Sequence, residues 1–126
     1  MPDKQVIAVI EDDRSVRRGI VDLVKAMGFE AEAFDRAADF LQSERMVSAA
    51  CLITDVAMPE MSGIELLEHM RASGKSMPSI VITAFPRDTD RTRALLAGAN
   101  CYLAKPFEYE RLVECIRRAL SSDRRR

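Results

Sequence analysis

The chain has 126 residues, 48% hydrophobic and 31% charged, with a formal net charge of −1. That length holds one domain with a sizeable core and is short for two, and the near-neutral charge argues against nucleic-acid binding by bulk electrostatics. No apolar stretch reaches the roughly 20 residues that span a bilayer, and Met1-Pro2-Asp3-Lys4 runs straight into a strand-like segment with no signal-peptide pattern, so a cytoplasmic protein is expected.

The first apolar run, 5–10, reads as a buried strand and ends in Glu11-Asp12-Asp13. Asp13 is the expected N-cap of a helix over 14–27, with Val16, Ile20, Val24 and Met27 on one stripe. Gly28 follows where a left-handed cap is needed. Residues 29–34 alternate in polarity and suit an edge strand, and a helix is expected over 36–43. The run 51–54 is apolar on both faces and ends in Asp55. Ser62 and Glu65 have capping-box spacing before a helix over 64–72, closed by Gly74. Strand 79–83 ends in Thr83, helix 88–97 is closed by Gly98, and strand 100–104 runs into Lys105-Pro106. A last helix, 107–120, carries Leu112, Ile116 and Leu120 on one stripe. Basic residues gather late, and 121–126 reads as a solvated tail or linker stub on a single domain, 1–126, with its core over about 4–120. Cys51, Cys101 and Cys115 have no CxxC spacing and are expected as buried thiols in a reducing compartment. His69 has no ligand-spaced partner and reads as a solvated helix histidine.

Five βα units predict an α/β fold, a doubly wound five-stranded parallel sheet. The both-face apolar strands one, three and four belong at its centre, and right-handed crossovers then give the flavodoxin-like order 2-1-3-4-5. Its switch point lies between strands one and three, where open α/β sheets bind ligands. Glu11, Asp12 and Asp55 come from those two strand ends. Two like charges about 4 Å apart repel by roughly 4 kcal/mol at an effective dielectric near 20. The three carboxylates therefore need a cation or a proton. Hard oxygen donors without His or Cys favour Mg²⁺, with Mn²⁺ as a substitute. Lys105 and Thr83 do not help to hold Mg²⁺ but suit the oxygens of a phosphoryl group, and a carboxylate can attack phosphorus to give an aspartyl phosphate. Each residue has a plainer reading: Asp13 as a cap, Asp55 in a turn, Thr83 as a strand former, Lys105 in a solvated loop. All of them at strand ends on one edge of a sheet is better explained by a site.

The motifs Val9-Ile10-Glu11-Asp12-Asp13, Leu52 through Gly63, Ile82-Thr83-Ala84 and Gly98 through Phe107 together resemble the receiver domain of bacterial two-component response regulators. The likeness is to receivers of the nitrogen-fixation regulator type, which precede helix-turn-helix output domains. It covers about 4–120. The resemblance implies a CheY-like fold and a phosphoacceptor role for Asp55. It implies Mg²⁺ held by Asp12, Asp55 and the Ala57 backbone carbonyl, with Glu11 acting largely through a water. Thr83 and Lys105 would grip the phosphoryl oxygens, the Ala84 N–H would add a donor, Lys105-Pro106 would be cis, and Tyr102 would be the switch aromatic. The donor would be a sensor histidine kinase or phosphotransfer protein, docking through Val16, Arg17 and Ile20 beside Pro106-Phe107. The output would be a phosphorylation-dependent homodimer, or altered docking, on the surface of the fourth helix, fifth strand and fifth helix. Ala57 offers no group to orient water and Phe85 could shield the acyl phosphate, so slow to moderate self-dephosphorylation is expected. No turnover of other substrates, nucleic-acid contact or membrane contact is expected.

Two other readings are weighed against this one. A module that is never phosphorylated is disfavoured, because the whole acceptor set is in place. An aspartyl-phosphate phosphatase would need a second carboxylate two residues after Asp55, where Ala57 stands.

Overall fold

The computed structural model describes residues 4–124. The leaderless start expected at Met1-Pro2-Asp3 and the last two residues of the basic tail, Arg125 and Arg126, lie outside the described residues. The elements follow in the order β1 (Val6–Ile10), α1 (Arg14–Ala26), β2 (Glu30–Phe34), α2 (Ala37–Leu41), α3 (Arg45–Ser48), β3 (Cys51–Asp55), α4 (Gly63–Ala72), β4 (Ser79–Thr83), α5 (Asp88–Leu96), β5 (Cys101–Ala104) and α6 (Tyr109–Arg124). The five strands form one parallel sheet in the order β2-β1-β3-β4-β5, as the strand compositions predict.

The pleat of the sheet divides the core in two. Ile7, Val9, Ile53, Ile80 and Ile82 point to the side covered by α1 and α6, where they meet Ile20, Val24, Leu112 and Ile116. Ala8, Ile10, Leu52 and Val81 point to the other side, against Phe40, Ile64, Leu66, Met70 and Ala94. Each fully buried Ile or Leu stabilises by about 1.5–3 kcal/mol relative to exposure, which locks the register. β2 has no fully buried residue and lies at an edge. Cys51, Cys101 and Cys115 are buried and form no disulfide; burial pushes the Cys115 thiol up to about 12, reinforced by Cys101 beside it. Such a thiol is unreactive packing material.

Local chemistry sets the ends of the helices. Asp13 accepts from the Val16 N–H, and Ser62 and Glu65 form the full capping box. Gly28, Gly74 and Gly98 have φ of 95°, 78° and 105°. At the first, Gly28 N–H donates to Lys25 O and Phe29 N–H to Val24 O, a paired C-terminal cap.

Two expected boundaries change. The helix expected over 36–43 is the shorter α2, and a one-turn helix that was not expected, α3, follows it. The Ser43 hydroxyl donates to Phe40 O and accepts from the Arg45 N–H, ending one helix and opening the next, and Arg45 is tied to Glu32 of β2 at 2.7 Å. The fourth and fifth helices of the sequence reading are therefore α5 and α6. α6 begins two residues later than expected and runs on to Arg124, so 121–124 is helix rather than tail. No helix among the described residues is long and apolar enough to cross a membrane.

Candidate functional site

The register places the site. Ile10 pairs with Thr54, so Glu11 and Asp55 are level across the switch point. Asp55 pairs with Ile82 and Thr83 with Ala104, so Thr83 lies one residue beyond that level and Lys105 two. Lys105 reaches back over β4. Its Nζ donates to Asp55 Oδ2 at 2.6 Å and to Glu11 Oε1 at 2.7 Å. One oxygen each of Glu11, Asp12 and Asp55 lie within 4.8 Å of one another, with Glu11 and Asp55 buried and Asp12 exposed. Lys105 thus places its positive charge between two of the three carboxylates, Glu11 and Asp55.

The electrostatics follow from burial. Loss of solvent pushes the Glu11 carboxyl up to about 7, and the nearby Asp55 adds to this against the opposing hydrogen bonds from Lys105 and the Asp13 N–H. Burial pulls the Lys105 ammonium down, but its bonds to Asp55 and Glu11 outweigh that and hold it above the ordinary lysine value. Buried charges are tolerated when paired and hydrogen-bonded in this way.

Other side chains fix the surrounding backbone. The Arg17 guanidinium donates to the Glu11 carbonyl at 2.7 Å and the Asp13 N–H to Glu11 Oε2 at 2.9 Å. The Ala57 N–H donates to Asp55 Oδ1 at 3.2 Å, and Ala57 itself is exposed. The buried Thr83 hydroxyl accepts from the Phe85 N–H at 3.1 Å, which leaves its own proton to donate. Ala84 is exposed at the start of the same loop. Tyr102 is half-buried, and its hydroxyl accepts from the Arg87 N–H at 3.3 Å, two residues beyond Phe85. Lys105-Pro106 is cis.

Three expectations shift. Ile20 is 1% exposed and belongs to the core, because it shares a stripe with Val24; it cannot dock a partner. Arg17 is engaged with Glu11 rather than free on the helix face. Phe85 is 71% exposed, so its ring stands in solvent instead of covering Asp55. Sequence reasoning gave no structural part to Arg17, Thr54 or Gly63. Only Gly63 carried a signal: it stands at the first helical position, where glycine has no capping advantage.

A divalent cation fits this donor set. Three carboxylate oxygens converge without His or Cys, two of them from buried residues, and such hard donors match Mg²⁺.

A profile described as "Response regulator receiver domain" matches residues 7–117. The chain is 36% identical over 115 residues to the response regulator protein TodT of Pseudomonas putida, covering 91% of this chain and 51% of TodT. It is 36% identical over 120 residues to the transcriptional regulatory protein FixJ of Bradyrhizobium diazoefficiens, covering 95% of this chain and 58% of FixJ. The chain thus spans about half the length of the curated relatives it matches. Among solved structures, FixJ-N superposes with a TM-score of 0.82 at 32% identity, covering 96% of each chain. The response regulator StyR does so with a TM-score of 0.86 at 41% identity, covering 98% of this chain and 63% of that one.

Proposed function

We propose, for a chain that belongs to the response regulator receiver family, that it is a phosphorylation-activated signalling domain in which Asp55 accepts a phosphoryl group from a histidine kinase or phosphotransfer protein. The observation that carries this reading is the Lys105 ammonium lying on Asp55 and Glu11, with an Asp12 oxygen close by. An Asp55 oxygen forms the bond to phosphorus as the donor's bond to phosphorus breaks. Asp12 and Asp55 would hold Mg²⁺ with the Ala57 carbonyl, and Glu11 would act largely through a water. The bound ion would supply positive charge against the phosphoryl oxygens. Lys105 gives up its carboxylate partners and moves to a phosphoryl oxygen. Thr83 donates its free hydroxyl proton to another, and the Ala84 N–H to a third position.

The signal leaves along the β4–α5 loop. Drawing Thr83 inward takes it from the Phe85 N–H, and the same loop holds Tyr102 through Arg87. A charge of roughly −1.5 to −2 at Asp55 thereby biases the position of Tyr102 and the surface of α5, β5 and α6. That surface is the proposed site of a phosphorylation-dependent homodimer or of altered partner docking. Slow to moderate self-dephosphorylation now rests on Ala57 alone, which has no group to orient water. The chain is proposed as a single receiver unit, cytoplasmic, that catalyses only its own phosphoryl uptake and loss.

The test is incubation with acetyl phosphate and Mg²⁺, read by intact-protein mass spectrometry. Wild type takes up one phosphoryl group, and Asp55→Asn takes up none. A label that persists in Asp55→Asn overturns the acceptor assignment. A phosphoryl half-life of only a few seconds overturns slow hydrolysis.

A further inference from the structure

Gly63 opens α4, and nothing in its backbone or its capping role asks for a glycine. The cap is supplied by Ser62 and Glu65, and Gly63 is not among the residues with positive φ. Helix N-termini gain nothing from glycine at this position, and glycine costs conformational entropy on folding. The reason is space. A Cβ on Gly63 would lie 2.2 Å from the Asp55 carbonyl oxygen, 3.0 Å from its carbonyl carbon and 2.9 Å from Thr54 Oγ1. Ordinary van der Waals contact begins near 3.4 Å, so the main chain would have to part by about 1 Å. At the same junction the Gly63 N–H donates to Val56 O at 3.1 Å. The fully buried Thr54 hydroxyl donates to the Asp55 carbonyl at 3.1 Å. The Asp55 peptide is thus gripped from behind while its carboxylate faces Lys105.

We propose that Gly63 is a positioning residue for Asp55: the missing side chain lets the first turn of α4 seat on the Asp55 carbonyl, with the Thr54 hydroxyl as the other half of the clamp, and together they set the carboxylate's distance from Glu11 and Asp12. The inference rests on the reading of Asp55 as acceptor and metal ligand. Mg²⁺ demands close to ideal geometry, and a displacement of 1 Å at a reacting group costs on the order of 10²-fold. The clamp therefore acts on the site more strongly than its place in the core suggests.

Gly63→Ala, Thr54→Val and Gly28→Ala are compared with wild type by Mg²⁺ titration followed through amide NMR, and by urea unfolding. Gly28 has φ +95° with nothing within 4 Å of its Cβ position, so alanine there strains the fold far from the site. Gly63→Ala is expected to weaken Mg²⁺ binding by at least about ten-fold and Thr54→Val by about three-fold. Gly28→Ala is expected to lose fold stability and keep wild-type Mg²⁺ affinity. If Gly63→Ala and Thr54→Val bind Mg²⁺ like wild type, the clamp is only packing and the proposal is overturned. If Gly63→Ala does not fold, Thr54→Val decides in the same way. If wild type itself takes up neither Mg²⁺ nor phosphate, it is the acceptor reading that has failed. The clamp is then judged on the metal-free proteins: displaced Asp55 carbonyl and Val56 amide resonances in the two clamp variants, and not in Gly28→Ala, support it, and unmoved ones overturn it.

Discussion

The two helices that flank the site on one face of the sheet are held very differently. α4 buries five of its ten residues, Gly63, Ile64, Leu66, Leu67 and Met70, and begins in a complete capping box. α5 has nine residues, buries only Ala94, and its N-cap Arg87 makes no side-chain cap bond. Leu95 and Leu96 of α5 are exposed. The carboxylate half of the site, at the ends of β1 and β3, is correspondingly fixed from behind by Arg17, Thr54 and Gly63. The hydroxyl half, at the ends of β4 and β5, leads into a loop, 84–87, whose residues are all exposed. One half holds its charged groups in place, and the other is the half proposed to move. Low burial is what allows a helix to shift at modest cost.

The largest test of that contrast is pH. Glu11 holds its proton in the folded chain up to about pH 7, against an ordinary value of 4.5. Folding therefore takes up a proton between these values. The stabilisation is fully present below about 4.5 and is lost as pH rises through about 7. Metal-free protein is expected to be less stable at pH 8 than at pH 5 by up to about 3 kcal/mol from this group. Urea midpoints in wild type and Glu11→Gln measure it, and a slope that survives in Glu11→Gln removes Glu11 as its source.

Lys105→Met comes next. It strips Asp55 and Glu11 of a shared counter-charge, and a loss of about 2 kcal/mol is expected at pH 8. The loss should shrink at pH 5, where Glu11 carries a proton. Equal losses at both pH values would mean that the pairing is not what stabilises this corner.

Hydrogen exchange sharpens the comparison without mutation. Amides of α5 are expected to exchange at least about ten-fold faster than those of α4. Matching protection would abolish the distinction drawn here. The smallest effect is expected at the exposed pair Arg93–Glu68, 2.6 Å apart, which is the ion pair linking α5 to α4 among the described residues. Glu68→Gln should barely move the unfolding midpoint and should do so less in high salt. A large, salt-insensitive change would show α5 to be held more firmly than its burial implies.

The sequence carried the features that repeat or alternate. The both-face apolar strands gave the sheet order, Asp13 and the Ser62–Glu65 spacing gave two helix starts, and the strand-end residues gave the site's membership. Contacts made through space were not legible in it. The Ser43 hydroxyl that divides α2 from α3 looks like any helix serine in a string of letters. Ile20 stands on the apolar stripe with Val24, so its place in the core is legible from periodicity, but nothing in the pattern shows that Arg17, three residues earlier, reaches the Glu11 carbonyl. The sequence pattern suits Lys105 to phosphoryl oxygens; only the register across β4 places it on the carboxylates themselves. Gly63 stood in plain view, but what it makes room for is a carbonyl eight residues away.

The shallow seat of α5 has a further consequence. Every residue of that helix except Ala94 can be exchanged without opening a hole beneath it. Asp55, Glu11 and Lys105 are interlocked, so one altered residue disturbs the others. Sequence change on the face proposed to pass a signal on thereby leaves the proposed acceptor chemistry untouched, and α5 can acquire a different partner while Asp55, Glu11 and Lys105 stay as they are.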